Sequence, residues 1–269
     1  PFGETKIDRT NPVYQGTFGG PLLKNRTWFF GAVRSEDNVT RRETGVTAVP
    51  FDRRIKESRV EFKLTQALAR THRVAFNYVG IDMDITNSAW PSTAEVMDLA
   101  SLTNPSEPKS LAAVHYTGTI GKRVFLEAQL STRRFAFKRS GGLSTDLITG
   151  TPLKDQETET WWWAPNFCGV CGDERRDSDS FFAKASYFLS TRSGAHDLSV
   201  GYDGFNDKML ADIYQSGSNY HVWTTASEVF DGVVYQIIVP GGSTYIVHWP
   251  LDTPRQGTRF RTHGLFATD

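Results

Sequence analysis

The two cysteines of the 269-residue chain, Cys168 and Cys171, form a single Cys-x-x-Cys motif. Such a pair can be redox-active, supply half of a zinc site, or close a short disulfide. A zinc site needs more ligands, but there is no second cysteine pair and no histidine close in sequence. A redox pair of the thioredoxin type needs a βαβ setting, which is absent. The motif therefore favours a structural disulfide, with a metal site and a free or redox pair as alternatives.

An acidic cluster follows the cysteines, with four carboxylates in the seven residues 173–179. Calcium prefers several oxygen ligands, so Asp173, Asp177 and Asp179 are its candidate ligands. Two arginines interrupt the cluster and can pair with its carboxylates. The cluster therefore favours solvated ion pairs over calcium binding, and we predict no metal site here.

Three consecutive tryptophans, Trp161, Trp162 and Trp163, lie in the same polar stretch. Large aromatic rings of this kind can stack on a sugar or an aromatic ligand, or insert at a membrane surface. The alternative is packing within a folded loop. Binding residues concentrate on loops held by a rigid scaffold, so we treat all three as candidate ligand-binding residues.

The remaining polar residues form no catalytic motif. The six histidines contain no i,i+4 pair, and no nucleophile elbow, phosphate-binding loop or dinucleotide fingerprint occurs. The formal charge is zero, with 30 basic and 30 acidic residues, which argues against a general nucleic-acid partner. We therefore predict a non-enzymatic protein without a cofactor and without a nucleic-acid partner.

The elements that position these residues are β-strands. Residues 58–64 alternate strictly, with Val60, Phe62 and Leu64 on one side and charged residues on the other. Similar extended or alternating stretches predict about nine strands, at 13–20, 28–36, 58–64, 72–80, 112–119, 124–138, 181–189, 197–203 and 259–269. Almost no helix is expected, apart from a possible short turn near residues 95–102.

The connections between these strands alternate in length. The short links are 21–26, 67–71, 120–123 and 191–195, and the long ones are 37–55, 85–109, 140–178 and 209–256. This alternation is typical of outer-membrane barrels, which have short periplasmic turns and long extracellular loops, whereas a β-sandwich gives no reason for it. No run of about 18 apolar residues occurs, but barrel strands alternate and need none.

A barrel wall must also close on itself, because every backbone amide in lipid has to pair within the sheet. Nine strands that end on half a hairpin do not form an even-numbered closed barrel. The fold prediction is therefore an all-β, antiparallel transmembrane barrel segment, with residues 1–269 as one partial barrel domain. Within the last long connection we expect a hairpin of 233–239 with 244–249.

The first hairpin, residues 12–35, carries three adjacent aromatics. Its tip is Lys24-Asn25-Arg26, and Trp28-Phe29-Phe30 opens its second strand. Aromatic girdles lie where barrel strands meet the lipid headgroups. We therefore expect the tip to be periplasmic and the three aromatics to belong to the inner girdle.

Several of these motifs resemble a known family. The segment Gly19–Gly31, GGPLLKNRTWFFG, resembles an early barrel hairpin of TonB-dependent receptors of the Oar-like group. Residues 193–198, followed by Gly201-Tyr202, resemble a turn and strand of the same proteins, and 167–171 and 215–220 resemble their loop motifs. These matches extend over the whole chain.

The resemblance implies a 22-stranded barrel with an N-terminal plug, energised by an inner-membrane TonB complex. By this resemblance the 269 residues are expected to contain neither the plug nor the TonB box, and to cover about strands two to ten of the barrel. The implied function is energy-coupled uptake, at the bacterial outer membrane, of an unidentified ligand captured by the long loops. The implied partners are outer-membrane lipid, the TonB complex, and the strands or subunits that complete the barrel.

The alternative hypothesis is a soluble, secreted β-sandwich that binds carbohydrate through its tryptophans. That hypothesis predicts a monodisperse protein without detergent. A barrel segment should instead depend on detergent, because its open edges expose unpaired backbone groups.

Overall fold

The computed structural model describes residues 9–45, 47–89, 96, 98–141, 144–162, 173–211, 216–231, 233–239, 241–248 and 256–269. These residues contain fifteen strands. In chain order they are β1 (Val13–Leu23), β2 (Thr27–Glu43), β3 (Pro50–Ala69), β4 (His72–Thr86), β5 (Lys109–Ile120), β6 (Val124–Phe137), β7 (Leu153–Asp155), β8 (Trp161–Trp162), β9 (Glu174–Thr191), β10 (Gly194–Ala211), β11 (Tyr220–Thr224), β12 (Ala226–Phe230), β13 (Val233–Ile237), β14 (Tyr245–His248) and β15 (Gln256–Thr268).

One large antiparallel sheet organises the chain. Its nine strands follow the order β1-β2-β3-β4-β5-β6-β9-β10-β15, so consecutive long strands are always neighbours. β1 and β15 are the two edges of this sheet. The prediction of an all-β, antiparallel barrel-type sheet of about nine strands is confirmed.

The tight turns lie where the sequence predicts them. β1 and β2 are joined by residues 24–26, β3 and β4 by 70–71, β5 and β6 by 121–123, and β9 and β10 by 192–193. Asn25 has φ 58° and Gly121 has φ 62°, a left-handed conformation that asparagine and glycine adopt at little cost. All four turns lie at the same end of the sheet, because its strands are antiparallel.

The first long connection is much shorter than predicted. β2 and β3 stay paired as far as Glu43 and Pro50, so the connection is 44–49 and the predicted one at 37–55 is wrong. The physical reason is cross-strand charge pairing, which the alternation of apolar residues does not report. Arg54 Nε donates to Asp37 Oδ1 at 2.7 Å across this pair.

The strand register separates two faces of the large sheet. Five large apolar residues lie opposite one another on five successive strands, namely Leu64, Phe76, Val114, Leu130 and Phe181. We call their side the apolar face. The opposite side, the polar face, carries the alternating residues of the same strands, such as Lys63 paired with Asn77 and Ser131 paired with Ser180.

This alternation also divides the aromatics of the first hairpin. Phe29 pairs with Leu64 and so lies on the apolar face, where its ring centroid is 6.0 Å from that of Phe18. Trp28 and Phe30 must then lie on the polar face, since adjacent strand residues point to opposite sides. The prediction that all three form one girdle is therefore wrong for Trp28 and Phe30.

The other long connections are present as 87–108, 138–173 and 212–255. The expected helical turn is a single 3-10 turn, Leu99–Ser101, capped by Asp98 Oδ1, which accepts from Ser101 N at 3.0 Å. Within the residues that the structure describes, no helix is long and apolar enough to cross a membrane.

The hairpin expected in the last connection is wrong in its pairing. β13 pairs with β12, and β14 pairs with β11 instead of β13. Two aromatic pairs accompany the β11–β14 ladder, with Tyr220 on His248 and Trp223 on Tyr245. Such cross-strand aromatic pairs stabilise a ladder and account for the partner that β14 takes.

Candidate binding site

Two long connections fold together into a second sheet. Its order is β14-β11-β7-β8, with β7 and β8 from the 138–173 connection and β11 and β14 from the 212–255 connection. β11 and β7 run parallel, with Val222 opposite Leu153 and Thr224 opposite Asp155. We call the described residues 144–162 and 216–248 the loop cap. It lies on the connections opposite the tight turns, at the end where the sequence predicts ligand capture.

Hydrogen bonds link the two halves of the loop cap. Gln156 Nε2 donates to the carbonyl oxygens of Thr224, at 2.8 Å, and Ser243, at 2.7 Å. The buried hydroxyls of Thr151 and Ser218 lie 2.6 Å apart. These bonds join residues that are 67 to 87 positions apart in sequence, so neither connection forms the cap alone.

Apolar packing closes the centre of the loop cap. Leu153 and Trp162 form its buried cluster, and Val222 packs against them. Only 5% of Trp162 is exposed, so its indole is part of this core. For Trp162 the structure therefore supports packing within a folded loop over a ligand-stacking surface.

Of the other predicted site residues in this connection, the structure describes Trp161 but not Trp163, Cys168 or Cys171. Trp161 pairs with Lys154 through the β7–β8 ladder. Trp163, Cys168 and Cys171 lie outside the described residues, so the predictions for them stay predictions.

The acidic cluster is largely part of a strand, because β9 begins at Glu174. Asp179 accepts from Thr132 Oγ1 and lies 2.8 Å from Arg134 Nη2 and 3.5 Å from Lys208 Nζ. Asp177 lies 4.0 Å from Arg134 Nε. The described part of the chain contains no group of three side chains arranged to hold a metal ion. Both aspartates thus take cationic partners from neighbouring strands.

A row of aromatic and basic side chains crosses the loop cap on the side opposite its core. The rings of Trp223 and Tyr245 are stacked, with centroids 5.5 Å apart and an interplanar angle of 13°. Lys154 Nζ lies 4.9 Å from the Trp223 ring centroid, and the His221 ring centroid lies 5.2 Å from it. Tyr245 is 46% exposed and closes the row at the edge strand. We call Lys154, His221, Trp223 and Tyr245 the aromatic row.

Burial sets the charge state of the aromatic row. It lowers the pKa of His221 to about 4, and the positive charge of Lys154 acts in the same direction. At neutral pH the imidazole is therefore uncharged, and Lys154 carries the positive charge of the row. Tyrosine and tryptophan faces stack on flat rings, and a neighbouring ammonium group favours anionic substituents. Within the row His221 is buried and Tyr245 is exposed, so the row is open to a ligand at its Tyr245 end.

The sequence did not single out Trp223 and Tyr245. Their local signal is an aromatic residue in each of two short alternating stretches, 220–224 and 245–248. What brings them together with Lys154 is the pairing of β11 with β14 and of β11 with β7. Pairing between strands of separate connections leaves no local pattern.

The remaining long connections reach the same end. Gly45 N donates to the carbonyl oxygen of Val96 at 2.7 Å, which joins 44–49 to 87–108. Ser106 forms isolated bridges with Asp84 and Lys138, which joins 87–108 to the start of 138–173. These bonds tie the connections at this end into a continuous layer.

Comparisons with known proteins support the fold. No protein-family model and no curated protein matches the chain. Among solved structures it is similar to the outer membrane transporter YddB from Escherichia coli, with a TM-score of 0.53 over 94% of this chain and 9% identity. The chain spans 31% of the length of that structure. At this identity the likeness concerns the fold alone, an antiparallel sheet of the outer-membrane barrel type.

Proposed function

We propose that the chain forms part of the wall of an outer-membrane transport barrel. The main observation in its support is the antiparallel sheet of nine strands. Its tight turns lie at one end, and its long connections, which are hydrogen-bonded to one another, lie at the other. The fold similarity to an outer membrane transporter supports the same architecture. In this arrangement the tight turns face the periplasm and the loop cap faces outward.

The apolar face supports a lipid contact. Val60, Val114 and Leu130 lie on it and are 48%, 41% and 58% exposed. Soluble proteins rarely expose contiguous apolar surface on this scale, and a soluble sandwich would cover it with a second sheet. Along each strand the apolar residues lie within roughly ten residues of the tight turn, which matches the length of a tilted strand in a bilayer.

The polar face supports a water-filled interior. Hydrogen bonds cross it between neighbouring strands. His115 Nε2 lies 3.1 Å from Glu127 Oε1, and the hydroxyls of Ser186 and Ser199 lie 2.7 Å apart. Alternation of apolar residues toward lipid and polar residues toward the lumen is the rule in outer-membrane barrels.

The finer proposal is energy-coupled uptake of the TonB-dependent, Oar-like type at the bacterial outer membrane. It draws support from the resemblance of Gly19–Gly31 and of the later motifs to that group. Further strands or subunits would have to pair with the open edges β1 and β15, because no unpaired edge is stable in lipid. The inner-membrane TonB complex would supply energy through a plug, and the proposal assigns the chain no catalytic role.

The loop cap is the proposed ligand-capture element. Its aromatic row offers a stacking surface with one cation, so the expected ligand has a flat ring and negative charge. The two connections that form the cap follow β6 and β10, so the proposed ligand site is held by two strands of the large sheet.

Fractionation of bacterial cells that produce the protein tests the proposal. We expect the protein in the outer-membrane fraction and its release by detergent but not by salt or alkali. After removal of the detergent the released protein should aggregate. Recovery of a folded, monodisperse protein in the soluble fraction would contradict the proposal and support a secreted β-sandwich.

A further inference from the structure

The apolar face carries a groove of about 610 Å³ that crosses β4 to β15. Its floor is apolar and includes Phe76, Val114, Leu130 and Phe181. These four residues face one another in register on neighbouring strands, so the floor is a continuous strip. A strip of this kind offers no hydrogen bonds and suits a hydrocarbon chain.

The end of the groove toward the loop cap has a basic rim. Arg259 and Arg261, both on β15, line it. The Nε atoms of both donate to Asn206 Oδ1, at 2.5 Å and 3.2 Å. One neutral amide on β10 thus holds two guanidinium groups on the same side of the sheet.

The rim carries more positive than negative charge. One carboxylate, Asp179, also lines the groove, and the nearby cations Arg134 and Lys208 share it as their acidic partner. Arg259 and Arg261, in contrast, form no ion pair with a carboxylate of the described residues. Among the described residues, the terminal nitrogen atoms of Arg259 and Arg261 have no hydrogen-bond acceptor. Two guanidinium groups held together match the oxygen atoms of a phosphate.

We propose that the groove binds a phosphate-bearing lipid of the surrounding membrane. Arg259 and Arg261 bind the phosphate, and one acyl chain lies along the strip from Phe181 to Phe76. Basic residues beside an apolar membrane surface attract anionic headgroups in this way. The inference rests on the proposed function, because the groove meets lipid only if the apolar face lies against the membrane.

Lipid titration of the full chain in uncharged detergent tests this inference. The probes are phosphatidylglycerol, phosphatidylcholine with the same acyl chains, and inorganic phosphate. We expect phosphatidylglycerol to bind about tenfold more tightly than phosphatidylcholine, and phosphate alone to bind at least tenfold more weakly. The variant R259Q/R261Q should lose this preference.

Two further variants separate the charge from the groove. K63Q/R73Q removes the same charge from the polar face and should bind phosphatidylglycerol like the wild type. Ala112 lines the groove, so Ala112→Phe should fill its floor and weaken lipid binding while phosphate binding stays unchanged. If R259Q/R261Q does not fold, the lipid and phosphate titrations of Ala112→Phe test the inference instead.

Equal affinity for the two lipids, or an unchanged preference in R259Q/R261Q, overturns the inference. Full competition by inorganic phosphate at the same concentration also overturns it, because the site would then bind an anion without lipid. Insertion into lipid vesicles is measured in parallel for each variant. A chain that inserts but shows no lipid preference contradicts the lipid site alone, whereas a chain that never inserts contradicts the barrel wall.

Discussion

Trp162 and Trp223 both belong to short strands of the loop cap, but their rings have different surroundings. Trp162 packs on Leu153 in the cap core, whereas Trp223 stands between Lys154 and Tyr245 in the aromatic row. The sheet decides this difference, because the residues of a strand alternate between its faces. At the residue scale, a tryptophan's role in this protein follows from its face and not from its neighbours in sequence.

His221 makes the loop cap sensitive to acid. It is 6% exposed, and burial followed by the charge of Lys154 lowers its pKa from 6.5 to about 4. In the unfolded cap the imidazole takes a proton below pH 6.5, whereas in the folded cap it stays neutral down to about pH 4. The contribution of neutral His221 to the free energy of unfolding of the cap is therefore complete above pH 6.5. It is lost as the pH falls toward 4, by up to about 3 kcal/mol.

Hydrogen exchange of the β7 and β11 amides at pH 7 and pH 5 measures this effect. After correction for the intrinsic exchange rates, opening of the cap should be about 20-fold more frequent at pH 5 than at pH 7. His221→Phe should abolish this dependence, and the control His248→Phe should keep it, since His248 is exposed. The same pH dependence in His221→Phe would show that another group is responsible.

At the scale of elements, the loop cap depends on contacts between two connections. Gln156 is the link that reaches both β11 and the segment before β14, through the carbonyl oxygens of Thr224 and Ser243. Removing its amide leaves two carbonyl groups without this donor. Gln156→Ala should therefore destabilise the cap by about 1–2 kcal/mol.

Limited proteolysis compares the two halves of the cap in this variant. We expect cleavage within 144–162 and within 216–248 to accelerate together, while the tight turns of the large sheet are cleaved as before. Gln129→Ala, on the polar face of β6, is the matched control and should match the wild type. Faster cleavage in only one half would mean that the two connections fold independently.

The sequence predicts the strands of the large sheet where apolar alternation is regular, as in Val60, Phe62 and Leu64. It also predicts the tight turns, because turn residues interrupt that alternation. It misses the outer ends of β2 and β3, where charged residues such as Asp37 and Arg54 replace the apolar ones. These charged residues stabilise the pairing of β2 with β3 through contacts between the two strands, which the sequence of one strand does not show.

The sequence pattern did not predict the loop cap, for a different reason. Val222 lies opposite Leu153 in a parallel pair of short strands, and no local pattern specifies a partner so distant in sequence. The sequence prediction named Trp161, Trp162 and Trp163 as candidate ligand-binding residues. The structure places Trp162 in the cap core and Trp223, which the prediction did not name, in the aromatic row.

At the scale of the whole molecule, the two faces of the large sheet are the central feature. One face is apolar and exposed, the other carries ion pairs and hydroxyl pairs, and the long connections are bonded together at one end. A membrane wall accounts for all three features. The central claim is therefore that residues along one strand alternate between contact with lipid and contact with water.

A spin-label scan of β3 from Arg59 to Leu64, in lipid bilayers, tests this claim most directly. Labels are placed singly in a chain whose Cys168 and Cys171 are changed to serine. Labels at 60, 62 and 64 should be accessible to oxygen, which dissolves in lipid, and labels at 59, 61 and 63 to a water-soluble nickel complex. Equal access of the nickel complex to all six positions would contradict a barrel wall.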